Sequence, residues 1–428
     1  MKKTLIKNAA ICVSDNTCIM QDVLFNETEI MAIDEHIEAD DAEIIDANGK
    51  LLMSGFIDVH VHLREPGFTD KETIAAGTMA AAHGGFTTIM AMPNVSPVPD
   101  SVAVMESYKK YIDEQAHVRV YPYASITKGE KGKEIVDFKA LKQMGIHAFS
   151  DDGVGVGDDM VMRKAMEASA KENVLLVAHT EDMNYRKPKA CIHEGIQSEK
   201  LNVIGIPSAC EYEQVKRDLA LVEETNAHYH ICHMSTKESV AYLQAAKEKG
   251  LDVSGEVTAH HLLLNELDVK DDANYKMNPP LRSIEDQKVL LEGLNNGVID
   301  MIANDHAPHT AEEKAKGLVE APFGIVSLET AFPLLYTYLV KEGKLTLKKL
   351  LDCMSAAPAK RFGFDKLGQL KVGYAADLVL IDLSKKQKIN PDEFYSKGKN
   401  TPFAGWEVNG IVNMTFVNGK LVYKEERS

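Results

Sequence analysis

Asp58-Val59-His60-Val61-His62-Leu63-Arg64 is the stretch whose residue types and spacing could most directly do chemistry. It follows Leu51-Leu52-Met53-Ser54-Gly55-Phe56-Ile57, an apolar run that reads as a buried strand. Alternate residues of a strand point to one face, so Asp58, His60 and His62 project together. Two imidazoles so placed can grip one metal ion. The plain alternative is a pair of hydrogen-bonded core histidines; two on one face beside a carboxylate weigh against it.

Polar residues close other apolar segments in the same way: Asn94 after Met92-Pro93, then Ser150-Asp151-Asp152-Gly153, Ala178-His179, Ile231-Cys232-His233 and Asn304-Asp305-His306. Four histidines and two carboxylates exceed the needs of one tetrahedral zinc. They suit two metal ions sharing a bridging carboxylate and a hydroxide, whose pKa two cations bring toward neutrality. Of His228, His230 and His233, the last lies at the strand's end and is placed in the site, with His230 expected in the core or just behind it. His306 and His309 flank Pro308 in an expected loop, which favours surface or substrate roles, and His260-His261 reads as packing.

These residues need a frame that brings strand ends together. Strand-like segments at 55–62, 86–92, 117–124, 145–152, 174–179, 227–233, 252–258 and 298–305 alternate with amphipathic segments at 70–83, 101–115, 134–144, 158–172, 211–225, 236–249 and 284–296. That alternation predicts an α/β fold, a closed parallel (β/α)8 TIM-like barrel with its working groups at the C-terminal strand ends. A doubly wound open sheet is the runner-up. Residues 1–52 and 365–428 are short β-like pieces with Asn48-Gly49 and Asn418-Gly419 as hairpin turns. They are expected to form one small β-sandwich domain from both termini, bracketing a barrel at 53–364. The polar segment 181–209 after His179 is long enough to be a lid.

The chain has 428 residues, 45% of them hydrophobic, and a formal net charge of −16. Such a field opposes phosphate backbones and anionic membranes, which argues against nucleic-acid or membrane partners. No apolar run is long enough to span a bilayer, and the basic start at Met1 meets polar residues too soon for a signal peptide. Six scattered cysteines without a CxxC pair read as reduced thiols of a cytoplasmic protein, Cys232 as a small buried filler.

Two longer motifs carry a resemblance. Asp58-Val59-His60-Val61-His62-Leu63-Arg64-Glu65-Pro66-Gly67 resembles the first signature of dihydroorotases in the amidohydrolase superfamily, and Ala303-Asn304-Asp305-His306-Ala307-Pro308-His309-Thr310-Ala311-Glu312-Glu313-Lys314 the second. Met277-Asn278-Pro279-Pro280-Leu281-Arg282, Ala321-Pro322-Phe323-Gly324 and Gly373-Tyr374-Ala375-Ala376-Asp377-Leu378-Val379 are similar to the same family. The resemblance implies His60 and His62 on one metal, His179 and His233 on the other, and Asp305 as ligand and proton shuttle. Many superfamily members bridge the metals with a carbamylated lysine; here Asp152 matches that position, as in the long bacterial dihydroorotases. Arg64, Asn94 and His309 match residues that hold the substrate carboxylate, and Asn278 with the Phe323-Gly324 backbone matches contacts to the ring. Asn304 stands where the family usually has Ser or Thr.

The implied reaction is reversible cyclisation of N-carbamoyl-L-aspartate to dihydroorotate and water in pyrimidine (UMP) synthesis, through a metal-bridging hydroxide and two Zn2+ per subunit. The resemblance also implies a homodimer, and leaves open a complex with aspartate carbamoyltransferase. The alternatives are a hydantoinase- or allantoinase-like cyclic amidohydrolase, or a catalytically silent partner of that transcarbamoylase.

Overall fold

The computed structural model describes residues 2–15 and 17–425. Each expected barrel strand is present, shorter than its sequence segment: Phe56–Val61, Phe86–Ala91, Arg119–Pro122, Ala148–Phe149, Leu175–Ala178, His228–Ile231, Val253–Thr258 and Met301–Ala303. The first three pair in parallel, as do the last five. Two parallel bridges close the ring: Ala124 with Phe149 joins the third strand to the fourth, and Val61 with His306 joins the eighth to the first. Helices cover the outside, so most strand residues are buried on both faces and the strands read as apolar runs rather than alternating ones.

The helices begin where the sequence supplies a cap. Thr73 accepts from the Ala76 N–H ahead of Ile74–His83, Asp158 from Met160 and Val161 ahead of Asp159–Glu172, and Ser283 from Asp286 ahead of Ile284–Asn296. Asn173, Asn226 and Gly297 end helices in the left-handed conformation.

Strands from both ends of the chain join one further sheet. Leu378–Lys388 pairs antiparallel with Leu51–Ser54 on one side and Glu407–Val417 on the other, while Lys3–Ser14 pairs with Thr17–Asn26 and with Ala42–Asp46. The strand period of two divides its side chains between two cores. Leu51, Met53, Val379 and Ile381 pack into the barrel-side core; Leu52, Leu378 and Leu380 pack with Val23, Phe25 and Phe416 into a separate one. This small β-sandwich therefore has a face of its own and a face shared with the barrel. Gly55 alone separates Leu51–Ser54 from the first barrel strand, and a Cβ there would lie 2.1 Å from Thr87 Cγ2.

Two expectations change. Cys12 and Cys18 are direct cross-strand partners in the first hairpin, with Cα atoms 4.1 Å apart, and form a disulfide. The six cysteines are thus not all reduced thiols; hairpin register, which the spacing hid, brings these two together. Cys191, Cys210, Cys232 and Cys353 are free and buried. Asn48-Gly49 does not close a hairpin: the strands on either side of it, Ala42–Asp46 and Leu51–Ser54, both pair in parallel with Lys3–Ser14. Segment 181–209, the lid candidate, contains the paired strands Ile192–His193 and Gly205–Ile206 and the helix Ile196–Leu201. Among the described residues no helix is long and apolar enough to cross a membrane.

Candidate metal centre

The strand ends converge on Asp152. Its Oδ1 lies 3.3 Å from His60 Nε2, 3.7 Å from His179 Nδ1 and 3.6 Å from His233 Nε2, and its Oδ2 lies 3.4 Å from His62 Nε2. Asp305 Oδ1 is 3.0 Å from His62 Nε2 and 3.6 Å from His60 Nε2. All six side chains are buried. Burial alone would push the Asp152 carboxyl up, but the adjacent imidazoles, His60 first, hold it well below the usual carboxylate range. Asp305 behaves alike, with His60 and His62 outweighing burial.

Asp151, next in the chain, faces the other way. Its Oδ1 accepts from the Ile126 and Thr127 N–H groups at 2.7 and 3.0 Å, and its Oδ2 from the Thr127 hydroxyl. Burial raises its pKa to about 6. The two aspartates thus have separate jobs, one at the centre and one holding the chain after the third strand.

Acceptors behind the ligands orient the imidazoles. His60 Nδ1–H donates to Glu256 Oε1 at 2.8 Å, His62 Nδ1–H to Asn94 Oδ1 at 2.8 Å, and His179 Nε2–H to Glu181 Oε2 at 3.2 Å. In each ring the other nitrogen, with its lone pair, then faces Asp152, the tautomer a metal requires. Glu256 also takes His230 Nε2 at 3.0 Å and the His233 N–H at 3.2 Å, which places His230 behind the site as expected. These bonds hold Glu256 at a pKa of about 2 against its burial.

The residues present fit bound metal. Ligand atoms of His60, His62 and Asp152 lie within 4.8 Å of one another, as do those of Asp152, His179 and His233, and of His60, His233 and Asp305. Asp152 is the carboxylate common to two of these triads; His60 and His233 also recur in two. His60 Nε2 and Asp152 Oδ1 are buried with no hydrogen-bond partner among the described residues, although buried polar atoms normally have one. Three residues of the region, Arg64, His233 and Asp305, have positive φ values of 61°, 30° and 47°. Such backbone is unfavourable for residues other than glycine and gathers where geometry serves a site.

Asp58 and His306 stand elsewhere than the sequence reading placed them. Asp58 does not join the centre; its carboxylate accepts from the His60 N–H at 3.1 Å, the Asn304 N–H at 3.2 Å and Asn304 Nδ2 at 2.8 Å, tying the first strand to the eighth. That explains the amide at position 304. His306 is neither surface nor substrate-facing: it is fully buried and its Nδ1 accepts from the Ser327 N–H at 3.1 Å. Asn94 orients His62, and Asn278 donates to Glu181 Oε2 at 2.8 Å beside His179. His260 and His261 are buried, and His261 bonds to Thr258 and to the Pro279 carbonyl. Burial pushes the Cys232 thiol up, as suits an inert filler.

Arg64 and His309 meet beside the centre, with Nη2 to Nε2 at 3.4 Å. Burial and the Arg64 charge lower His309 to about 3, so its ring is neutral. His309 Nε2–H donates to the Phe323 carbonyl at 2.8 Å, which brings the Phe323-Gly324 loop to the same corner.

Glu256 and Glu181 were not anticipated. Glu256 had a signal, a carboxylate inside the buried run Val253–Thr258, where an acid is rarely found without a partner. Glu256→Gln keeps the shape and loses the charge that draws on His60 and His230. Metal affinity is expected to fall about tenfold or more, read as a shift in the chelator concentration that strips the protein; an unchanged midpoint would contradict this role.

Comparison with known proteins agrees with this geometry. The dihydro-orotase-like family matches residues 49–239, and the amidohydrolase family residues 291–423. A dihydroorotase of Bacillus cytotoxicus is 53% identical over 423 residues, covering 99% of this chain and 98% of that protein. One from Bacillus cereus strain ATCC 14579 is 52% identical over the same length. Among solved structures, an L-hydantoinase (dihydropyrimidinase) from Arthrobacter aurescens superposes with a TM-score of 0.88 at 27% identity, covering 100% of this chain and 97% of that one. A dihydropyrimidinase from Brevibacillus agri NCHU1002 gives 0.85 at 25%, covering 99% and 95%. With half its residues shared along nearly the full length and a site built of the residues described above, the chain belongs to the dihydroorotase family of metal-dependent cyclic amidohydrolases.

Proposed function

We propose that the chain catalyses the reversible cyclisation of N-carbamoyl-L-aspartate to dihydroorotate and water. The observation that carries this reading is an arginine with no ion-paired carboxylate among the described residues, beside a cluster of four histidines and two carboxylates. Arg64 Nε donates to the Pro308 carbonyl at 3.3 Å, and its neighbour Glu65 is turned away to the Ile74 N–H at 2.8 Å. Its planar fork suits a carboxylate, the group that separates dihydroorotate from a neutral hydantoin.

His60, His62, Asp152, His179, His233 and Asp305 would hold the metals, and the nitrogen-rich donor set suits zinc. Two such cations supply a water activated at neutral pH and a Lewis acid for the ring amide. In the hydrolytic direction Asp305, ionised and buried, accepts the proton of the attacking water and delivers it to the leaving ring nitrogen. In ring closure it takes a proton from the carbamoyl nitrogen and the sequence runs backward. Arg64, with the His309 ring packed beside it, anchors the exocyclic carboxylate, Asn94 and Asn278 hold His62 and Glu181 in register, and the Phe323-Gly324 backbone lines the ring.

The hydantoinase reading shares barrel and metals, but normally keeps a bridging lysine where this chain has Asp152, and has no need of the unpaired Arg64. The test is turnover of dihydroorotate, hydantoin and allantoin by the purified chain with its metal content measured. About two zinc ions per chain and a kcat/KM for dihydroorotate at least about tenfold above the neutral rings are expected. Equal turnover of hydantoin would overturn the assignment.

A further inference from the structure

Beyond the residues above, Lys314 stands out as a cation spent on the main chain. It ends the short helix Ala311–Lys314, and its Nζ donates to the Pro322 carbonyl at 3.1 Å and the Gly324 carbonyl at 2.9 Å, on either side of Phe323. Lys276, only 3% exposed, places its Nζ 4.4 Å from the centre of the Phe323 ring, and the Arg186 guanidinium lies 4.7 Å from it. Three cations therefore converge on one short loop in a chain of net charge −16.

Gathering like charges away from water is unfavourable. Burial, followed by the neighbouring Lys276 charge, pushes Lys314 down to about 7, with Asp272 and Glu313 opposing. What Lys314 secures in return is the shape of the loop. The other ties are the His309 ring on the Phe323 carbonyl at 2.8 Å, Asn400 Nδ2 on the Gly324 carbonyl at 2.9 Å, and the Gly324 N–H on the Lys276 carbonyl at 2.9 Å. Gly324 has φ +134°, and a Cβ there would lie 2.7 Å from Ala307 Cβ, so the loop is pressed against the end of the eighth strand. His309 touches both this loop and Arg64. A shift of the loop moves the ring that braces the arginine.

We propose that Lys314 is a positioning residue for substrate recognition: by gripping the carbonyls on both sides of Phe323 it fixes the loop that braces His309 and Arg64. It touches no reacting atom. This rests on the dihydroorotase reading above. A loosened anchor weakens the ground state and the transition state alike, so the loss falls on KM rather than kcat. Arginine keeps the charge and several donors, whereas methionine keeps only bulk.

The experiment compares kcat and KM for dihydroorotate in the wild type, Lys314→Met and Lys314→Arg at equal metal content, with melting temperatures recorded. Lys314→Met is expected to raise KM about tenfold with kcat within about threefold, and Lys314→Arg to return KM to within about threefold of wild type. If the methionine variant does not fold, Lys314→Gln fills the same space with a donor and should give an intermediate KM. An unchanged KM in Lys314→Met or Lys314→Gln, or a loss of kcat that arginine does not restore, overturns the proposal. A wild type without dihydroorotate turnover sinks the functional reading itself; normal wild-type turnover with an unaltered variant KM sinks only the role of Lys314.

Discussion

Asp152→Ala is expected to lose bound metal and activity together, with kcat/KM falling by at least about a hundredfold, while Asp151→Ala keeps its metal. The reason lies in which way each carboxylate points. Asp152 Oδ1 faces His60, His179 and His233, and its Oδ2 faces His62, so removing it takes a shared ligand from both halves of the centre. Asp151 instead satisfies two backbone N–H groups and the Thr127 hydroxyl. Its loss leaves buried donors unpaired and is expected to lower stability by about 1–3 kcal/mol. Metal analysis and thermal melts on both variants separate the two roles. A fully metallated, active Asp152→Ala protein would pass the bridge to Asp151.

Arg64→Met carries the second large effect, on choice of substrate. A charged bidentate contact contributes about 1.5–3 kcal/mol, so kcat/KM for dihydroorotate is expected to fall roughly ten- to a hundredfold. A neutral cyclic imide, which has no carboxylate to offer, should be turned over at close to the wild-type rate under the same metal loading. Equal losses on both substrates, or none on either, would mean that Arg64 is not the anchor. The neutral His309 ring beside it leaves the arginine as the charge that meets the anion.

Much of this centre could be read from the chain because strand ends write their chemistry linearly. His60-Val61-His62 follows a buried run, and Asp152, His179, His233 and Asp305 each close another, so one rule about barrels collects them. Adjacent aspartates are harder: one residue of register exchanges their faces, and only the Thr127 and Ile126 partners of Asp151 separate them. Asp58 shares the parity of His60 and His62 yet turns to Asn304, because a carboxylate at the seam between the first and eighth strands meets unpaired amides first. Glu181, Glu256 and Lys314 act through partners far along the chain. Nothing local marks such pairings, and the disulfide of Cys12 with Cys18 depends on hairpin register in the same way.

Gly55 joins the sandwich strand Leu51–Ser54 to the strand that carries His60 and His62, and that sandwich strand is held by Leu378–Lys388 from near the other end of the chain. A ribosome therefore makes His60 and His62 early and the partner strand of Leu51–Ser54 almost last. Contacts so distant in sequence form slowly, after the cost of closing a long loop. The histidine strand spends most of synthesis without its final neighbours, and its apolar residues Phe56, Ile57 and Val59, fully packed in the finished protein, are uncovered in the meantime. Shortening the C-terminal strands would therefore strike the assembly of the chain before its chemistry.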